Sequence, residues 1–175
     1  MRNAAFVGLG FFLLVAQAAL GALAPLNAWA PNLVLPIVLY LGVTPDVHIV
    51  RGAALSFVLG YFLDSFSGSP MGLSTFVMVA LFMVARGTGV NLFMRGVLFQ
   101  IVLTLGFAVL AGGAVLALRA IFEPPAPFPT GTVMETVYSL MAGAAVTAVI
   151  APLLFFGARR MDALVTRRRE EAAAT

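Results

Sequence analysis

The chain has 175 residues, 62% of them hydrophobic and 10% charged, with a mean hydropathy of +1.06. An ordinary soluble domain carries about 25% charged residues, so a water-facing surface of normal size is excluded and lipid is the expected solvent for most of the chain. The formal net charge of +3 comes from arginine alone, and cysteine is absent, which excludes a disulfide framework, a thiol nucleophile and a thiolate metal site.

Six apolar segments follow one another at 4–24, 32–43, 52–66, 71–84, 93–122 and 133–157. In lipid every backbone polar group needs an internal partner, and no segment alternates as a barrel strand would. The expected fold class is therefore an all-α integral membrane protein with six transmembrane helices. The first segment follows Arg2 and is long enough to span. Ala22-Leu23-Ala24 and Ala28-Trp29-Ala30 look cleavable, but Pro25 and Pro31 follow them, so a permanent span is expected, with Trp29 at the outer interface.

The second to fourth segments are short, 12 to 15 residues each. That is about 18–23 Å of helix against a hydrocarbon core of about 30 Å. Either they cross as a thin or tilted bundle or some are re-entrant hairpins; the arginines favour crossings. The fifth, at about 30 residues, must tilt or project. "EPPAPFPTG" (123–131) then forms a stiff external loop, with Glu123 and Arg119 four apart and paired at the helix end. With the N-terminus in the cytoplasm, six crossings place Arg2, Arg51, Arg86, Arg95, Arg159, Arg160, Arg167, Arg168 and Arg169 inside and only Arg119 outside. This obeys the positive-inside rule. It also accounts for the sequence pI near 10.2 without nucleic acid.

Residues 1–158 are read as the transmembrane domain and 159–175 as a basic cytoplasmic tail. Met161, Leu164 and Val165 share one face of the tail, and Arg159, Arg160, Arg167, Arg168 and Arg169 suit anionic lipid at roughly 1 kcal/mol each.

The inventory for catalysis is thin. His48 stands alone in "TPDVHIVR", "GTG" (87–89) is a turn, and no metal-ligand spacing or phosphate loop occurs. No catalytic residue, metal or cofactor is expected. The last segment repeats small residues every fourth position, at Ser139, Gly143, Thr147 and Ala151, below Glu135. Ala18 with Ala22, and Ala108 with Gly112, repeat that spacing. Such stripes pack helices closely, within the chain in the first instance and against a partner in the second. Gln100 is read as an interhelical hydrogen bond.

The stretch "GYFLDSFSGSPMGLS" (60–74) interrupts the apolar pattern with a carboxylate. An ionisable residue at membrane depth marks a functional site by default. Here Ser69 reads as the N-cap of the fourth helix and Pro70 as its first residue. The free N–H groups of that helix start offer Asp64 a partner. Asp64 is thus expected to clasp the third helix to the fourth, with Arg119 as its counter-ion. Gly60 admits a close neighbour, and Gly68 and Gly72 allow the reversal.

Gly60-x-x-x-Asp64 followed by Ser67-Gly68-Ser69-Pro70-x-Gly72-Leu73 resembles the rod shape-determining protein MreD family of bacteria. "PNLVLPIVLYLGV" (31–43) is similar to that family's second segment, and the specific resemblance covers 31–86. The proline-rich loop and the arginine tail match no motif of the family. The resemblance implies a multi-pass inner-membrane scaffold of cell-wall elongation with both termini cytoplasmic. It implies binding to the transmembrane helix of MreC, with MreB, RodA and a class B penicillin-binding protein in the wider complex. It also implies a six-helix fold like the substrate-binding subunits of energy-coupling-factor vitamin transporters. The alternative function is a small-molecule-binding subunit of such a transporter. That would need convergent polar groups near the outer face, where Asn27, Asp64, Ser65, Ser67, Arg119 and Thr130 are the candidates.

Overall fold

A computed structural model describes residues 2–23, 31–67, 71–88, 96–122 and 133–173, with side chains for 5–19, 31–67, 71–88, 96–121 and 134–165. Among the described residues the chain forms six helices and no strand. They are α1 (Arg2–Leu23), α2 (Val34–Val43), α3 (Ile49–Ser67), α4 (Leu73–Gly87), α5 (Val97–Phe122) and α6 (Val133–Ala173). Among the described residues three helices are long and apolar enough to cross a membrane: Ile49–Ser67, Val97–Ile121 and Met134–Val165. Trp29, Asn27, Arg95, Glu123 and Thr130 lie outside the described residues.

Several boundaries differ from the sequence pattern, each for a local reason. The third helix is longer than its apolar core, 19 residues, because its first turn includes Ile49, Val50 and Arg51. The fifth starts at Val97 and has 26 residues rather than about 30; Gly96 supplies the first accepting carbonyl, to the Gln100 N–H at 3.1 Å. α6 runs through the basic tail as one helix of 41 residues, since between 158 and 173 there is neither Gly nor Pro and most residues are good helix formers.

α2 occupies the centre. All ten of its residues are buried, as expected of a helix that is apolar on every side. It touches the other five, which close a ring around it in the order α1, α3, α4, α5, α6. Contacts along α2 set the directions. Gln17 of α1 and Thr147 of α6 meet its start, whereas Phe6 and Phe155 flank Tyr40 near its end. So α1 runs antiparallel and α6 parallel to it. Gly112 of α5 lies against Leu140 of α6. α3 and α4 are antiparallel, since Gly60 meets Thr75 while Gly52 meets Phe82.

Close packing surrounds Phe82 of α4, which is fully buried. A Cβ on Gly52 of α3 would strike its ring, and one on Gly42 of α2 would lie 2.9 Å from Ala85 Cβ. Two glycines thus bring α2 and α3 onto one aromatic wedge. Replacing Phe82 with Ala should destabilise the fold by about 3–5 kcal/mol, read as a lowered thermal midpoint in detergent. Phe76→Ala, at a position 65% exposed, should change it by less than about 0.5 kcal/mol.

Candidate functional site

The α3–α4 joint is built on one carboxylate. α3 reaches Asp64 in its last turn, and the chain returns through Gly72, whose φ of 100° is left-handed and suits glycine. The Asp64 side chain is 2% exposed. Its Oδ2 accepts from the Gly72 N–H at 3.0 Å, the Thr75 N–H at 3.0 Å and the Thr75 hydroxyl at 2.7 Å, and its Oδ1 from the Ser74 N–H at 2.8 Å. Four donors converge on two oxygens, an arrangement suited to an acceptor-only carboxylate. They include N–H groups that a helix start leaves unpaired.

Gly60, one turn earlier, lets this happen. A Cβ there would stand 2.6 Å from Thr75 Cα and 3.2 Å from Ser74 O, so the first turn of α4 rests directly on the backbone of α3.

The N-cap expectation is corrected. α4 starts at Leu73 with Gly72 as its N-cap and no side-chain cap of its own. The cap is supplied from another helix, by Asp64. Gly68, Ser69 and Pro70 lie outside the described residues. Arg119 is not among the partners of these four bonds, so the counter-ion expectation has no counterpart in them.

The start of α2 is closed in the same manner. The N–H groups of Asn32 and Leu33 donate to Thr147 Oγ1 at 2.9 Å and Gln17 Oε1 at 3.0 Å. Those of Val34 and Leu35 both donate to Asn32 Oδ1 at 3.2 Å. Three side chains from three parts of the chain thus satisfy four consecutive donors. Beyond the other end, Arg86 of α4 donates to the carbonyls of Thr44 at 2.6 Å, Pro45 at 3.1 Å and Val47 at 2.9 Å. The planar guanidinium fork reaches all three, which a lysine ammonium cannot do with the same geometry.

Gln17, Asn32, Thr44 and Arg86 were not singled out for these roles in the sequence. Asn32 before an apolar run carries a recognisable capping signal. Gln17 and Arg86 carry none, because their partners lie far along the chain.

The α6 stripe divides. Thr147 and Ala151 are buried within the bundle, whereas Ser139 and Gly143 are partly buried and border a cavity that also touches Thr147. Glu135 is exposed, as is Ala18 of the α1 pair. Gln100 is buried, and His48 is exposed just before α3. Arg160 is exposed with its guanidinium 4.9 Å from the Phe156 ring centroid, and Arg159 is partly buried. Arg167, Arg168 and Arg169 continue α6, and their side chains lie outside the description. Among the described residues no group of three or more His, Cys, Asp or Glu could hold a metal ion.

Asp64→Asn places an amide donor among donors and should destabilise the protein by roughly 3 kcal/mol, with lower accumulation in membranes. Thr75→Val keeps the shape, removes one of the four bonds and should cost about 1–2 kcal/mol. Equal thermal midpoints for wild type and Asp64→Asn would refute the clasp.

No protein-family model, curated protein or solved structure matches the chain.

Proposed function

We propose that the chain is a non-enzymatic membrane scaffold of the MreD kind. On this reading it crosses the bacterial inner membrane six times with both termini in the cytoplasm. It binds the transmembrane helix of MreC and, through it, joins MreB, RodA and a class B penicillin-binding protein in cell-wall elongation. Its six helices are proposed to adopt the arrangement of energy-coupling-factor substrate-binding subunits. Arg159, Arg160, Arg167, Arg168 and Arg169 rest on anionic lipid.

The observation that carries the proposal is the joint itself. Gly60, Asp64 and Gly72, on which the resemblance rests, together build one close helix crossing. The motif is used to shape the bundle, which leaves recognition to its outward apolar faces. The described loop between α2 and α3, which the arginine pattern assigns to the cytoplasm, lies at the end of the bundle marked by Arg86 and supports this sidedness. α2 and α4 are about 15 and 22 Å long; on this reading they cross as a thin section, with α2 enclosed by its neighbours.

Sidedness is testable because the chain has no cysteine. In intact cells, Met71→Cys should react with a membrane-impermeant maleimide and Thr88→Cys only after lysis; the reverse pattern would overturn the orientation. Affinity purification of the full chain from native membranes should recover MreC by mass spectrometry. Recovery of a transporter ATPase module in its place would overturn the scaffold reading in favour of the transport subunit.

A further inference from the structure

Because α2 has only ten residues, it does not fill the ring along its full height. A cavity of about 230 Å³, partly open to the outside, lies over its first turn, with walls from α2, α3, α4, α5 and α6. The small residues of α5 and α6 face this space: Ala108, Ala111 and Gly112 on one side, Ser139 and Gly143 on the other. At Gly112 the approach is so close that a Cβ would meet the side chain of Leu140 at 2.6 Å. The stripes therefore make room as well as contact.

No ionisable residue lines the cavity among the described residues, so a charged occupant would be desolvated without a counter-charge. The polar groups in the wall are mostly engaged. Thr147 Oγ1 donates to Gly143 O at 2.8 Å and accepts from the Asn32 N–H, and Ser139 Oγ donates to Thr136 O at 2.9 Å. Asn32 is the exception. Its Oδ1 takes the two N–H groups of Val34 and Leu35, which fixes the amide, and among the described residues its Nδ2 donates to no acceptor. A cavity of about 150 Å³ accommodates benzene, so this one takes on the order of nine heavy atoms.

We propose that this cavity binds a small uncharged molecule with an apolar body and one hydrogen-bond acceptor, which the Asn32 Nδ2 amide holds. The site goes beyond the scaffold reading and does not depend on which partner protein is bound.

The test uses the full chain in lipid vesicles, with Ser139→Cys as a single reporter and the neutral reagent methyl methanethiosulfonate. The probe is 2-phenylethanol, which should slow labelling, whereas phenylacetate, the same body with a charge, should not. Leu110→Cys, on the outward face of α5, controls for a general effect on the bilayer and should label at the same rate with or without the probe. Asn32→Asp keeps a capping oxygen but removes the free donor, and should weaken protection about fivefold. Ala111→Leu fills the wall without touching a cap and should abolish protection. The proposal is overturned by a Ser139→Cys that does not label, by equal slowing at Leu110→Cys, or by no slowing at all. Undiminished protection in Asn32→Asp also overturns it; if that variant does not accumulate, undiminished protection in Ala111→Leu decides against it.

Discussion

Helix ends that stop inside the bundle must find hydrogen-bond partners there, and the rest of the architecture depends on how they do. A helix leaves four N–H groups and four carbonyls unpaired at its ends, and each one buried unsatisfied costs about 1–3 kcal/mol. Long helices can place those ends in water or at an interface. α2 and α4 start inside, and polar side chains from other helices come to them: Asn32, Gln17 and Thr147 to α2, Asp64 to α4. Arg86 does the corresponding work for the carbonyls after α2. Several polar groups of this apolar chain thus sit where the backbone needs them.

This constraint also ties the helices together in a definite order. Each cap joins elements distant in sequence, Gln17 to Leu33 and Thr147 to Asn32 at one end of α2, Arg86 to Thr44 at the other. Apolar packing against lipid-like surroundings is non-directional, whereas a cap is satisfied in one register only. Glycine completes the arrangement by allowing backbones to touch, at Gly60 beside Thr75 and at Gly42 beside Ala85. With both ends of α2 closed, its first turn becomes the fixed floor of a cavity, and the outward faces of α1, α5 and α6 carry large exposed apolar residues such as Phe12, Leu98 and Leu153. A rigid bundle with an apolar exterior suits a protein whose proposed task is to hold another helix in the bilayer.

Much of this was legible in the residues, and the exceptions have a common cause. Asp64 stood out because a carboxylate in an apolar run demands donors, and its joining of α3 to α4 followed from the nearby helix start. The expected cap at Ser69 was displaced because a left-handed Gly72 moves the helix start to Leu73, where the carboxylate of Asp64 takes the N–H groups that a local cap would have taken. Arg86 read as a topology marker and proved to be a carbonyl clamp as well; one charge can serve both ends, and sequence position speaks only to the first. The small-residue stripes were visible by their spacing, but spacing cannot distinguish a face that meets a helix from one that borders a void.

The sequence by itself determined the helical class, the order of the six elements and the position of the carboxylate. Those follow from local rules: apolar runs in lipid become helices, and a buried charge requires partners. Tertiary structure alone decided that the shortest helix stands at the centre, which side chains close its ends, and where the ring leaves space. These depend on contacts between residues separated by as many as 115 positions, and no local pattern encodes which of several Thr, Gln or Arg side chains will arrive.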